Sequence, residues 1–124
     1  MIDHISFGVT NVARSLAFYD AVLAPLGFAR IWTTKDAAGY GFPDQDEEFA
    51  IRGEDEPVFG STRQSHLAFA APDRESVTAF YIAAIGQGAE NEGEPGLCPE
   101  YGDNYFAAFV RDLDGYRIEV VYHG

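Results

Sequence analysis

The sequence predicts an α+β domain built from two tandem βαβββ modules, folded together as a mixed-sheet, pseudo-twofold, barrel-like unit. Three observations predict it. First, DHISFGVTNVARSLAFY at residues 3–19 returns as SHLAFAAPDRESVTAFY at residues 65–81, sixty-two places later and without gaps. At that offset His4 falls on His66, Phe7 on Phe69, Asn11 on Asp73, and Ala17, Phe18 and Tyr19 on Ala79, Phe80 and Tyr81. A repeat of half the chain indicates two copies of one supersecondary unit, not a solenoid. Second, each copy switches from a two-residue to a 3.6-residue apolar period at the same point. Third, glycine punctuates both copies at the ends of the helical stretches, joined by Pro25 in the first.

The elements follow in order. In Ile2–Val9, Ile5, Phe7 and Val9 share one face and His4, Ser6 and Gly8 the other, which is a strand with one apolar side. Asn11 is an N-cap candidate. Val12–Ala24 carries Val12, Leu16, Tyr19 and Leu23 on one helical stripe, and Pro25 and Gly27 end it. Phe28–Thr34, Gly39–Phe42 and Glu48–Arg52 read as three strands, the middle one short and weak. These complete module one, residues 1–53. EDEPVFGSTR, residues 54–63, is polar, holds Pro57 and Gly60, and reads as a linker inside one domain. Module two, residues 64–124, restarts with a strand over Gln64–Ala71. Asp73 caps a helix from Arg74 to Ile85, which Gly86 and Gly88 stop. Ala89–Asp103 holds a short strand at most, with GEPGLC as a loop. Tyr105–Arg111 and Tyr116–Tyr122 are strands joined by the hairpin turn DLDG at 112–115. Neither module buries much alone, so the two are expected to pack together and share one sheet system.

Length and composition bound the function. At 124 residues the chain suits a single domain, and 47% hydrophobic content with ten Phe and seven Tyr fills its core. No run of about eighteen apolar residues predicts a membrane span. The start MIDHISFG lacks the basic and apolar regions of a secretory signal. One cysteine, Cys98, makes no internal disulfide, so a cytoplasmic setting is expected. The net charge of −12 repels nucleic acid and anionic membranes, which bind through Lys and Arg.

The chemistry-bearing residues come from strand parity. In Tyr116–Tyr122, Ile118 and Val120 share the apolar face and Glu119 points the other way. If both modules turn their apolar strand faces to their helices, the opposite faces line a common concavity containing His4, His66 and Glu119. Two imidazoles and a carboxylate suit a divalent metal with open positions for water or substrate. Trp32, Tyr40, Phe42, Tyr101 and Phe106 are candidate pocket aromatics. His123 reads as a frayed terminal residue and Cys98 as an idle thiol.

DHISFGVTNVARSLAFYDAVLAPLGF, HLAFAAPDRESVTAFY and AAFVRDLDGYRIEVVYHG together resemble the vicinal oxygen chelate superfamily, which includes glyoxalase I, the bleomycin-resistance proteins and the extradiol dioxygenases. The resemblance spans essentially the whole chain. It implies ligands from the first and last strand of each module: His4 and His66 from the first strands, Glu119 from the last strand of module two. The fourth place falls on Glu48 if EEFAIRG is matched end to end with IEVVYHG, or on Ala50 if apolar neighbours are matched. Both have the same parity. With Glu48 the set is that of glyoxalase I-like sites using nickel or zinc; with Ala50 it is the three-residue facial set that extradiol dioxygenases use with iron(II). One divalent ion, Fe, Zn, Ni or Mn, is implied, and Ala50 is the slightly favoured choice.

The sequence departs from both patterns. Phe109 stands where the extradiol motif has tyrosine, Leu113 stands where it has proline, and Glu100, Tyr101 and Gly102 replace its further histidine. Glu48 and Tyr105 are left as candidate catalytic residues, although a phenol near pKa 10 is a poor base unless perturbed. Arg14, Arg30, Arg52, Arg63 and Arg117 are ungrouped by sequence as candidate anion holders. The expected activity is metal-dependent lyase, isomerase or ring-cleaving dioxygenase chemistry on a small substrate. The alternative is a metal-free protein of the bleomycin-resistance type that sequesters a small amphiphilic or cationic molecule. A homodimer is expected, with the pocket built inside one chain.

Overall fold

The structure, a computed structural model, describes residues 1–54 and 66–124. The first module is β1 (Ile5–Val9), α1 (Val12–Leu23) with a 3₁₀ turn at Ala24–Leu26, β2 (Ala29–Thr33), β3 (Ala37–Gly41) and β4 (Phe49–Gly53). The second is β5 (Leu67–Ala70), α2 (Arg74–Gly86), β6 (Glu90–Leu97), a 3₁₀ turn at Pro99–Tyr101, β7 (Tyr105–Arg111) and β8 (Arg117–His123). Each makes a four-stranded sheet, ordered β1-β4-β3-β2 and β5-β8-β7-β6. In both, the first and last strands of the module pair in parallel and the others antiparallel. The βαβββ expectation holds for both modules. The barrel-like expectation resolves into two mixed sheets, with no strand pair joining them among the described residues, so the barrel is not closed. All of the expected linker except Glu54 lies outside the described residues, as do Gln64 and Ser65.

Local chemistry explains the elements. Asn11 accepts from the Arg14 amide at 3.0 Å and Asp73 from the Ser76 amide at 2.7 Å, so the two residues matched by the repeat cap the two helices. Gly27, at φ 90°, takes the left-handed position that closes α1 and its 3₁₀ turn. Phe18, Tyr19, Val22, Leu23, Val77 and Phe80 on the helices pack with Val9, Ile51, Phe69, Val110, Ile118 and Val120 from both sheets in one core.

Several expectations shift. β3 is a fully buried five-residue strand, not a weak one. Its small residues make room for a neighbour: a Cβ on Gly39 would meet the Trp32 indole at 2.2 Å. Residues 90–97 form an eight-residue strand where a short strand and loop were expected. This is an edge strand with two register shifts, the setting that tolerates Gly93, Pro95 and Gly96. His123 is not frayed; it ends β8 opposite Tyr105, with the two rings 4.9 Å apart.

The modules meet through aromatic and polar contacts. Phe49 and Phe69 lie 5.3 Å apart and Phe7 stacks on Tyr116 at 4.1 Å. Tyr116 Oη donates to Gly8 O at 2.9 Å, and the Thr10 amide and hydroxyl donate to Asp114 at 3.0 and 2.7 Å. Tyr19 Oη donates to buried Asp112. The end of β1 thus lies beside the start of β8, which pairs in parallel with the start of β5. Phe49, the register partner of Ile5 at the start of β1, meets Phe69 farther along β5. The two strands therefore run in opposite directions across the junction. No helix is long and apolar enough to cross a membrane among the described residues.

Candidate functional site

The inner face of the second sheet gathers the reactive side chains. Alternation along β8 sends Ile118 and Val120 to the core and Glu119 to the other side. Glu119 stands opposite Ala68 of β5 and Phe109 of β7, at the middle of the sheet. It is 3% exposed. His66, one residue before β5, brings Nε2 to 2.9 Å from Glu119 Oε1, with a side chain 38% exposed. Tyr105 Oη donates to the other carboxylate oxygen. A buried carboxylate is thereby bound on both oxygens, and an imidazole faces it from the solvent side. Loss of water contact, then the hydrogen bond to Glu119, pushes the Tyr105 phenol well above its ordinary range. Tyr105 is thus a protonated phenol whose hydroxyl donates to Glu119. Cys98, just before the 3₁₀ turn that leads into β7, has its thiol pushed up by burial and by Glu100 and Glu119.

His4 lies elsewhere. It precedes β1, is exposed, and has Nδ1 2.8 Å from Asp3 Oδ1. Among the described residues, one set of three His, Cys, Asp or Glu side chains has its ligand atoms within 4.8 Å of one another: Asp3, His4 and Glu47. His4, His66 and Glu119 do not form such a set within one chain. The antiparallel run of β1 and β5 is the reason. His4 precedes the start of β1 and His66 the start of β5, so the two begin strands that run in opposite directions. This counts against a pocket assembled from all three inside one chain.

The fourth place is legible in the pairing register. Ser6 pairs with Ala50 in the first sheet as Ala68 pairs with Glu119 in the second, and Ser6 matches Ala68 at the sixty-two-residue offset. Ala50, not Glu48, is the counterpart of Glu119. Glu48 precedes β4, is exposed, and lines the cleft between the modules. That cleft, about 310 Å³, is walled by Ile5, Phe28, Phe42, Phe49, Leu67 and Phe69, with Asp3 and Glu48 as its acids. Of the other aromatic candidates, Tyr40 is buried core, Phe106 packs against the core with Arg74 over its ring, and Trp32 donates to Glu47 at 3.0 Å. Sequence reasoning named Phe109 only as a departure from the extradiol motif and not as a pocket aromatic, yet its ring lies 6.4 Å from that of His66. Its even spacing from Tyr105 along β7 was the available signal.

The sequence matches the family described as the Glyoxalase/Bleomycin resistance protein/Dioxygenase superfamily over residues 1–120. No curated protein matches it. Among solved structures, a glyoxalase/bleomycin resistance protein from Albidiferax ferrireducens T118 is 31% identical, with 98% of each chain covered and a TM-score of 0.82. A glyoxalase/bleomycin resistance protein/dioxygenase family enzyme from Burkholderia phytofirmans PsJN is 17% identical over 98% of this chain and 97% of its own, at a TM-score of 0.72. The fosfomycin resistance protein FosX from Mesorhizobium loti is 14% identical over 100% and 92%, also at 0.72. For the last two the likeness is one of fold.

Proposed function

The chain belongs to the Glyoxalase/Bleomycin resistance protein/Dioxygenase superfamily, and from that premise we propose that it is a metal-dependent enzyme acting on a small substrate that chelates a divalent ion through neighbouring oxygens. The reaction class is lyase, isomerase or ring-cleaving dioxygenase. The observation that carries the reading is the convergence of His66 and Tyr105 on buried Glu119. The residues fit an ion. The 2.9 Å between His66 Nε2 and Glu119 Oε1 is the spacing of neighbouring ligand atoms with bonds of about 2.0–2.2 Å to one centre. A neutral imidazole and a carboxylate suit Fe, Zn, Ni or Mn.

His66 and Glu119 hold the ion, and His4 supplies the third ligand from a second copy of the chain. Two features support His4 in that role. It is exposed, and its contact with Asp3 through Nδ1 leaves Nε2 available as a ligand. A bound divalent ion supplies Lewis acidity toward the substrate oxygens. Tyr105, a phenol kept protonated, donates its one hydroxyl hydrogen to Glu119 and so orients that carboxylate. Glu48 sits at the same end of its module as His4 and is the candidate proton acceptor. The pair of copies is a homodimer, in which symmetry gives two equivalent sites.

The test is elemental analysis of protein purified without added metal, in wild type and Glu119→Gln. Near-stoichiometric metal lost in the variant supports the reading; a wild type that neither retains nor rebinds divalent metal overturns it. One observation favours a second reading. The cleft between the modules is apolar with acids at its edge, as a protein that sequesters a cationic amphiphile needs. Guest binding that survives chelation and Glu119→Gln would support that one.

A further inference from the structure

Arg117 is the second charged residue on the inner face of β8, two places before Glu119. Its guanidinium lies over the Phe109 ring at 5.3 Å, and that ring is 6.4 Å from the ring of His66. Phe109 is itself fixed in place: it covers Gly93, where a Cβ would come within 2.9 Å of the ring. Arg117 Nε is buried and has no hydrogen-bond partner, the one buried side-chain nitrogen or oxygen so left among the described residues. Directly opposite on β7, Arg111 is fully engaged. Its Nη1 donates to Gly115 O at 2.8 Å, and its Nε is ion-paired with Glu92 Oε1 at 3.1 Å. Arg117, unlike Arg111, has no ion-paired carboxylate among the described residues.

A buried donor without an acceptor is costly and rare in native proteins, and the ones that persist tend to belong to a function. Stacking on Phe109 holds the guanidinium plane, whose fork matches a carboxylate with two parallel bonds. At a net charge of −12 the molecule as a whole repels anions, so a cation kept at the site is a local preference, not part of a basic surface. We propose that Arg117 anchors a carboxylate of the substrate beside His66 and Glu119, and that the substrate is therefore a small organic acid whose body lies against Phe109. The proposal rests on reading His66, Glu119 and Tyr105 as the reactive centre.

The experiment uses metal-free, chelator-treated protein, so that it does not depend on the ion. Mandelate and benzoate are titrated against their neutral amides, mandelamide and benzamide. The Arg117 Nε–H resonance and calorimetry are the readouts. The carboxylates are expected to move that resonance and to bind roughly tenfold or more tightly than the amides. Arg117→Gln removes the preference and Arg117→Lys restores part of it, with folding of both checked by amide spectra. Equal binding of acids and amides, a preference that survives Arg117→Gln, or an unmoved Nε–H resonance overturns the proposal. The two readings fail separately. An Arg117-dependent preference in a protein that never retains metal leaves the anchor standing and removes the metal. Retained metal without the preference does the reverse.

Discussion

Glu119 is buried in the middle of a sheet, and a carboxylate there must be paired or lose its charge. Tyr105 and His66 pair it from two sides. Tyr105→Phe keeps the ring against His123 and removes only the donor, so it tests orientation alone. It is expected to weaken metal affinity about 10–100-fold, the usual effect of losing a group that orients a ligand. Competition with a chromophoric chelator measures it, and unchanged affinity would remove Tyr105 from the site. Glu119→Gln should lose more metal than Glu48→Gln. The register makes Ala50 the counterpart of Glu119, which is the reason Glu48 is not proposed as a ligand. Equal metal loss in the two variants would restore a four-ligand site.

The hairpin between β7 and β8 fastens the two modules through buried acids. Asp112 accepts from Tyr19 and from the amides of Asp114 and Tyr116, and Asp114 accepts from Thr10. Burial raises the Asp112 pKa above its unfolded value, outweighing the hydrogen bonds that lower it. The sign follows. Below the unfolded pKa both states are protonated and the site is neutral to stability. As pH rises through the folded pKa, the folded state must take on a buried charge and stability falls. Urea unfolding from pH 3 to 7 should therefore show Asp112→Asn gaining on wild type as pH rises; a constant difference would refute this. Tyr19→Phe should cost about 1–3 kcal/mol at neutral pH by leaving a buried acceptor short of its donor. These roles were invisible in the sequence, where DLDG reads as a turn, because the partners lie 93 and 104 residues away. What was legible was local. Asn11 and Asp73, the apolar alternation of β1 and β8, and the β7 hairpin all declare themselves within a few residues. β6 did not, since Gly and Pro in an irregular edge strand look like a loop. Parity could not separate Glu48 from Ala50, because that choice is made by the strand alongside.

Across the whole molecule, the repeat makes two similar modules but only one complete half-site. Module two holds His66, Glu119 and Tyr105 together, while module one presents His4 without a buried carboxylate at the matching place. In a single chain His4, His66 and Glu119 do not bring their ligand atoms within 4.8 Å of one another, and the junction at Gly8–Tyr116 and Thr10–Asp114 fixes how the modules meet. A twofold pair of chains resolves this, since a self-complementary interface can bring His4 of each copy to the half-site of the other. Subunit exchange between His4→Ala and His66→Ala proteins tests the arrangement. If one chain made the whole site, every site in the mixture would carry a damaged ligand and metal would not return. If the site is shared, each mixed dimer holds one site with both histidines missing and one with all ligands intact. Random exchange makes half the dimers mixed, so metal binding should return to about a quarter of the wild-type level, from near zero in either variant alone. Light scattering on the same samples should show dimers throughout. Metal that stays absent after exchange, with dimers present, would place the third ligand somewhere other than His4 of the second copy.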